Sequence, residues 1–256
     1  MKSLFCGAII AVAMATSASA ASITHESFSF EKHQAKTAKA AAFENFDDPS
    51  TLNYTFAGGT PGSRSASKSY GEIAGSIGTS VGTFRTHGSG VGSGSTCARF
   101  SSAGTRSCNS IALQDERAIN GQGNITSTKG GKALNSNDTL GMVWDVVLPG
   151  NKKFTSVVFA IRDAADAGAS LAVSVNDGEA TTFSKGTNNN RQLWEIVFDK
   201  PMSSAQILLA NSKTNDAFTI DGAAVMVSAV PLPATGLMLL GAFGLTAGIA
   251  RRRKAA

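Results

Sequence analysis

A chain of 256 residues with 7% aromatic and 16% charged residues and 27 glycines favours turn-rich β structure over long helices, and its length suits one ordinary domain or two small ones. Its formal charge of +5 lies wholly in the ends: Lys2, Arg251, Arg252, Arg253 and Lys254 hold five of the 23 basic residues, and the other 18 match the 18 acidic residues between them. A neutral middle excludes the basic surface that nucleic acid requires.

Residues 1–20 read as a secretory signal peptide. Lys2 supplies the positive start, residues 4–14 are apolar but too short to cross a bilayer, and Ala18-Ser19-Ala20 offers a small-residue cleavage site, so the mature chain is expected to begin at Ala21. Cys6 follows bulky Phe5 inside the apolar stretch, where a lipobox wants a small residue, which argues against lipidation. Once the signal is removed, Cys97 and Cys108 are the remaining cysteines. In an oxidising compartment they are expected to pair, worth about 3 kcal/mol in the chain-entropy model. Two free thiols are the alternative. His25, His33 and His87 are the only histidines, and no Cys-x-x-Cys or His-Glu-x-x-His spacing gathers them into a metal site.

Near residues 33–42 a short turn of helix is expected. Leu52-Asn53-Tyr54-Thr55-Phe56 alternates as a half-buried strand should. Residues 58–94 are rich in Gly and Ser and read as a loop-rich half or an insertion. Beyond Thr139 the strand signal sharpens. Met142-Val143-Trp144-Asp145-Val146 alternates, residues 154–161 form an apolar run, and Leu171, Val173 and Val175 alternate again. Trp194, Ile196 and Phe198, then Ile207 and Leu209, Phe218 and Ile220, and Val225 and Val227 complete a series of short strands separated by turn residues. The expected fold is an all-β antiparallel sandwich, jelly-roll-like, spanning residues 21–228.

Catalytic patterns are scarce. Gly78-Thr79-Ser80-Val81-Gly82 fits a nucleophile elbow with His87 as a conceivable base, but the pattern needs a strand before it and a helix after it, and here it sits among scattered glycines. No catalysis is expected. Phe43-Glu44-Asn45-Phe46-Asp47-Asp48 and Asn215-Asp216-Ala217-Phe218-Thr219-Ile220-Asp221-Gly222 look like the terminal strands of carbohydrate-binding jelly rolls. That resemblance implies that the two segments pair and that acids at their ends hold a structural Ca²⁺, with Glu44, Asp47 and Asp221 as ligands. The alternative is that these acids cap turns or face water. Only Trp144 and Trp194 are available to stack on a sugar, and the alternation around Trp194 places it in the core.

The tail occupies residues 229–256. Val230-Pro231-Leu232-Pro233-Ala234 precedes an apolar segment, 234–250, and the basic cluster Arg251, Arg252, Arg253 and Lys254. As a helix that segment reaches only about 25 Å, the short edge for spanning, and the basic cluster keeps its end cytoplasmic with the domain outside. The two prolines hold the motif extended, as a protease requires. Gly244 and Gly248 form a Gly-x-x-x-Gly pair suited to helix contacts, or are merely compositional.

These residues closely resemble the C-terminal sorting signal of the PEP-CTERM class, in its Val-Pro-Leu-Pro-Ala variant. The resemblance implies transient anchoring in the inner membrane, recognition by an exosortase, and cleavage near Pro233 and Ala234, with the nucleophile in that enzyme. Leu232-Pro233-Ala234-Thr235-Gly236 also satisfies the sortase pattern of Gram-positive bacteria, and either route ends at the cell surface. The expected partners are an exosortase, signal peptidase and the Sec export machinery, with exopolysaccharide as a further candidate and no nucleic acid. Two functions stand: a structural or adhesive protein of the surface or extracellular matrix, or a carbohydrate-binding module for exopolysaccharide.

Overall fold

The structure, a computed structural model, describes residues 21–57, 62–65, 68–90, 109–115, 123–126, 131–166, 168–214 and 216–227. The signal peptide, Cys97, Cys108 and the whole sorting tail with its motif and basic cluster lie outside the described residues. Among those described, no helix is long and apolar enough to cross a membrane.

Antiparallel strands in two sheets enclose one apolar core. In chain order the strands are β1 (Ala21–Ser27), β2 (Ala42–Glu44), β3 (Gly62–Ser65), β4 (Lys68–Glu72), β5 (Ser76–Thr79), β6 (Gly82–Thr86), β7 (Ala112–Asp115) and β8 (Lys132–Asn135). They continue as β9 (Gly141–Val147), β10 (Phe154–Arg162), β11 (Ser170–Val175), β12 (Thr181–Ser184), β13 (Arg191–Met202), β14 (Ser204–Asn211) and β15 (Thr219–Met226). The larger sheet runs β1-β13-β10-β15-β8-β7-β4-β3, with β2 added to β15, and the smaller runs β12-β11-β14-β9-β6-β5. An all-β antiparallel sandwich is therefore what the alternation produces.

Aromatic rings join the layers. Trp144 of β9 stacks on Phe84 of β6 in the small sheet, with centroids 5.1 Å apart, and meets Phe159 of β10 in the large sheet edge-on at 5.9 Å. Phe159 lies parallel to Trp194 of β13 at 6.4 Å, and His25 of β1 closes the row 4.6 Å beyond. Rings at these separations interact favourably beyond their burial.

β10 and β15 are apolar on both faces because both faces are covered. Val157, Phe159 and Ile161 enter the core, while the helix α1 (Phe30–Thr37) packs on the two strands, so Val158, Ala160 and Ala224 are buried as well. α1 starts where Ser29, in extended conformation, accepts a hydrogen bond from Lys32 N at 3.4 Å, an N-cap. The helix begins and ends earlier than the expected span of 33–42, because the cap sits at Ser29 and Ala42 already belongs to β2. Its buried His33 bonds through Nε2 to Gly222 O at 2.8 Å, and Lys36 pairs with Glu195.

Three expectations change. Residues 52–56 form no strand, only isolated bridges from Asn53 to Gly78 and from Phe56 to Ile73. The Gly-rich stretch is no mere loop: β3 and β4 extend the large sheet, and β5 and β6 the small one. Phe218-to-Ile220 and the pattern at Val225 are not two strands, since β15 runs through both with a register shift opposite Val158 and Ala160. Gly222, at φ +57°, makes that bend, and a Cβ there would lie 2.7 Å from the His33 ring.

Candidate functional site

The terminal segments do pair: Phe43 stands opposite Ala224 and Glu44 opposite Ala223. The three acids proposed for calcium are nonetheless spent on protein donors. Glu44 Oε1 accepts from Phe46 N at 2.8 Å, and its Oε2 accepts from Ser80 N at 3.3 Å. Asp47 Oδ1 accepts from Lys132 N at 2.6 Å and Oδ2 from Asn45 Nδ2 at 2.7 Å. Asp221, fully buried, takes Ile125 N at 2.7 Å with Thr126 N and Oγ1 at 2.8 Å on Oδ2, and Gly222 N at 2.6 Å on Oδ1. Burial pushes its pKa up to about 7 against the pull of those donors. Among the described residues, no group of three His, Cys, Asp or Glu side chains is set to hold a metal ion.

Ser80 is no nucleophile elbow. Thr79 pairs with Gly82, so residues 78–82 are the tight turn of the β5–β6 hairpin, with strand rather than helix following. Ser80 Oγ donates to Phe43 O at 2.8 Å, fastening that hairpin to β2. Both tryptophans are fully buried, which removes Trp144 as well as Trp194 from any sugar-stacking role. Trp144 Nε1 donates to Val81 O at 3.0 Å, whereas Trp194 Nε1 has no acceptor.

A different cluster forms at one end of the sandwich, where residues 163–166 and 168–169 after β10, 185–190 after β12, and 212–214 and 216–218 after β14 converge. Asn189 N donates to Asp163 Oδ1 at 2.7 Å, Asn190 Nδ2 to Ala164 O at 2.6 Å, and Gly186 N to Ala165 O at 2.8 Å. Gly186 is required by this approach, since a Cβ would lie 2.2 Å from Ala164 O. Asp163 and Ala165 both hold left-handed backbone, at φ 62° and 61°, a conformation kept where surroundings overdetermine it. From the third loop Asp216 brings its carboxylate against Asp166 and the Ala165 amide.

The electrostatics of this cluster are unfavourable. Burial raises the Asp163 pKa to about 6, with the Asn189 amide opposing and Asp166 adding to the rise. Asp216 is raised too, first by burial and then by the Asp166 carboxylate in contact with it. A hydrogen bond between two carboxyl groups needs a shared proton, which the raised pKa of Asp216 favours, and Asp216 Oδ2 has no other donor. Beside this cluster opens a cavity of about 350 Å³ lined by Asp166, Ser170, Ser184, Lys185 and Ser212 among others. Its rim is fixed by Ser170 N donating to Ser212 Oγ at 2.8 Å. The Asp163-Ala164-Ala165-Asp166 spacing is visible in the sequence, but Asp216 reaches it only through the β11–β14 pairing.

No protein-family model and no curated protein matches the chain. Among solved structures it is similar to TmCBM61 in complex with beta-1,4-galactotriose, at 14% identity and a TM-score of 0.30, over 46% of this chain and 82% of that one. It is also similar to the C-terminal family 22 carbohydrate binding module of Clostridium thermocellum Xyn10B, at 11% identity and a TM-score of 0.23, over 42% and 80%. The enzymatically active domain of bacteriophage CBA120 tailspike protein 4 matches at 9% identity and a TM-score of 0.25, over 71% of this chain and 20% of that one. Likeness this slight carries no argument about function.

Proposed function

We propose that the chain is an exported, non-catalytic surface or matrix protein whose β-sandwich binds a saccharide of the exopolysaccharide class at the loop-end cavity. The observation that carries this reading is the lining: Ser170, Ser184, Ser212, Asp166 and Lys185 border a space of about 350 Å³. That is the size of a small-molecule site, and its mixed donors and acceptors suit a polyhydroxylated ligand better than an apolar one. No aromatic ring lines it, so recognition rests on hydrogen bonds. The jelly-roll winding belongs to the same reading and is supported by the pairing of β2 with β15.

Glycoside hydrolysis fits less well. Its paired carboxyl groups stand about 5 to 9.5 Å apart across the scissile bond, whereas Asp166 and Asp216 are in hydrogen-bonding contact and Asp216 is only 3% exposed. A purely structural or adhesive role without a specific ligand is the second reading. It is favoured by the burial of both tryptophans. Retention on an exopolysaccharide column or glycan array separates the two: the exported protein should be retained, and Lys185→Ala or a cavity-filling Ser184→Trp should abolish retention. Retention of nothing, or retention unchanged by both variants, sends the reading back to the structural role.

The sorting tail belongs to the proposal as well, supported by its motif, apolar segment and basic cluster in order. Exosortase cleavage near Pro233 releases or attaches a domain first held at the inner membrane. Intact-mass analysis of protein from the native host should show the tail removed, and substitution of Pro231 and Pro233 should preserve it. A wild-type product with the full tail would leave a plain membrane anchor instead.

A further inference from the structure

We propose that the loop-end cavity selects an acidic saccharide, one whose sugar units carry carboxylates, over a neutral one; this inference rests on the saccharide reading above. Lys185 borders the cavity. Gly168 borders it too, and a Cβ there would lie 3.2 Å from Lys213 Nζ, so the missing side chain leaves that ammonium room at the wall. Against these two cations stands Asp166 in the lining. Asp163 and Asp216 are buried, at 2% and 3% exposure, and do not offer their carboxylates to a ligand. Burial also raises the pKa of both, which diminishes their negative charge in mildly acidic buffer. Arg162 and Arg191 stand opposite each other where β10 ends and β13 begins, adding positive potential to the same end.

The backbone holds Lys185 in place at a cost. Its φ is 59°, a left-handed conformation that Gly or Asn adopts with less strain, and the next residue is pinned where Gly186 N donates to Ala165 O at 2.8 Å. A lysine kept in such a position is kept for its side chain. The lining chemistry explains the need. Hydroxyls of a neutral sugar exchange water for protein at little net gain, and no aromatic ring lines this space to supply a stacking face. A hydrogen bond from an ammonium to a carboxylate is about twice as strong as a neutral one. Lysine also acts as a point charge, so it accepts a carboxylate without the planar alignment that an arginine fork demands.

Calorimetric titration of the exported protein tests the selection, with oligomers of galacturonate, glucuronate and mannuronate and the same oligomers reduced at their carboxyl groups to alcohols. At least one acidic oligomer should bind about tenfold more tightly than its reduced form. Raising NaCl from about 0.1 M to about 1 M shortens the Debye length from about 10 Å to about 3 Å, and should remove most of that advantage while leaving the reduced form unaffected. Lys185→Gln should lose the advantage, Lys185→Arg should keep it, and Asp166→Asn should bind the acidic oligomer severalfold more tightly. Opposite signs at two lining residues are not a result that misfolding produces. Equal binding of acidic and reduced oligomers overturns the selection and leaves the saccharide reading standing, whereas binding of none overturns both. An advantage unchanged in Lys185→Gln overturns its assignment to this cavity.

Discussion

Asp221 and Asp216 are both buried acids near the start of β15 with raised pKa values, yet their surroundings are opposite. Asp221 collects three backbone amides and a hydroxyl and so clamps residues 123–126 onto the large sheet. Asp216 meets another carboxylate and keeps one oxygen without a donor. Burial alone therefore does not distinguish an acid that fastens the backbone from one left short of donors. The supply of donors does.

The contrast breaks most visibly if Asp221 is removed. Asp221→Ala strips the acceptor from four buried donors and should cost about 4 kcal/mol in urea denaturation. Asp216→Asn should change stability by less than about 1 kcal/mol, because the amide supplies a donor to Asp166. Equal losses in the two variants would erase the distinction. Gly222→Ala comes next at about 3 kcal/mol, since it forces a side chain into left-handed backbone against His33 and Thr126.

pH sharpens the comparison further. Asp163 ionises near 3.8 when unfolded but near 6 when folded, so the folded state holds a proton that the unfolded state has released. Its contribution is full below 3.8 and is lost as pH rises through about 6. Asp216 acts with the same sign. Urea midpoints should fall over this range, and Asp216→Asn should flatten the fall. The smallest effect is expected from the tryptophans. Trp144→Phe gives up a hydrogen bond to Val81 O and Trp194→Phe gives up none, so the first should cost about 1 kcal/mol more.

The strands from β9 onward were legible because their inner positions carry large apolar residues at period two. β1 was not, since Ala21–Ser27 is an edge strand whose Ser, Thr, His and Glu hide the alternation. β12, with Thr181–Ser184 on the other edge, escaped for the same reason. At residues 52–56 the alternation was real, but the segment only bridges to residues 73 and 78 without a continuous partner. The pairing of β2 with β15 followed from the likeness of the two acidic segments, though the acids there cap the local backbone. The cluster of Asp163, Asp166 and Asp216 was illegible because no sequence spacing reports which loops a sheet order brings together.

The terminal pairings also set a timetable. His33 and Gly222, 189 positions apart in the chain, touch through a single hydrogen bond, and β1 and β2 complete the large sheet only against β13 and β15. Contacts of such high sequence separation slow folding, because the intervening chain must be closed into a loop before they form. At translation rates of about 5 to 20 residues per second, the first strands wait many seconds for their partners to be made. The sandwich can therefore close only after nearly all of the domain has been made.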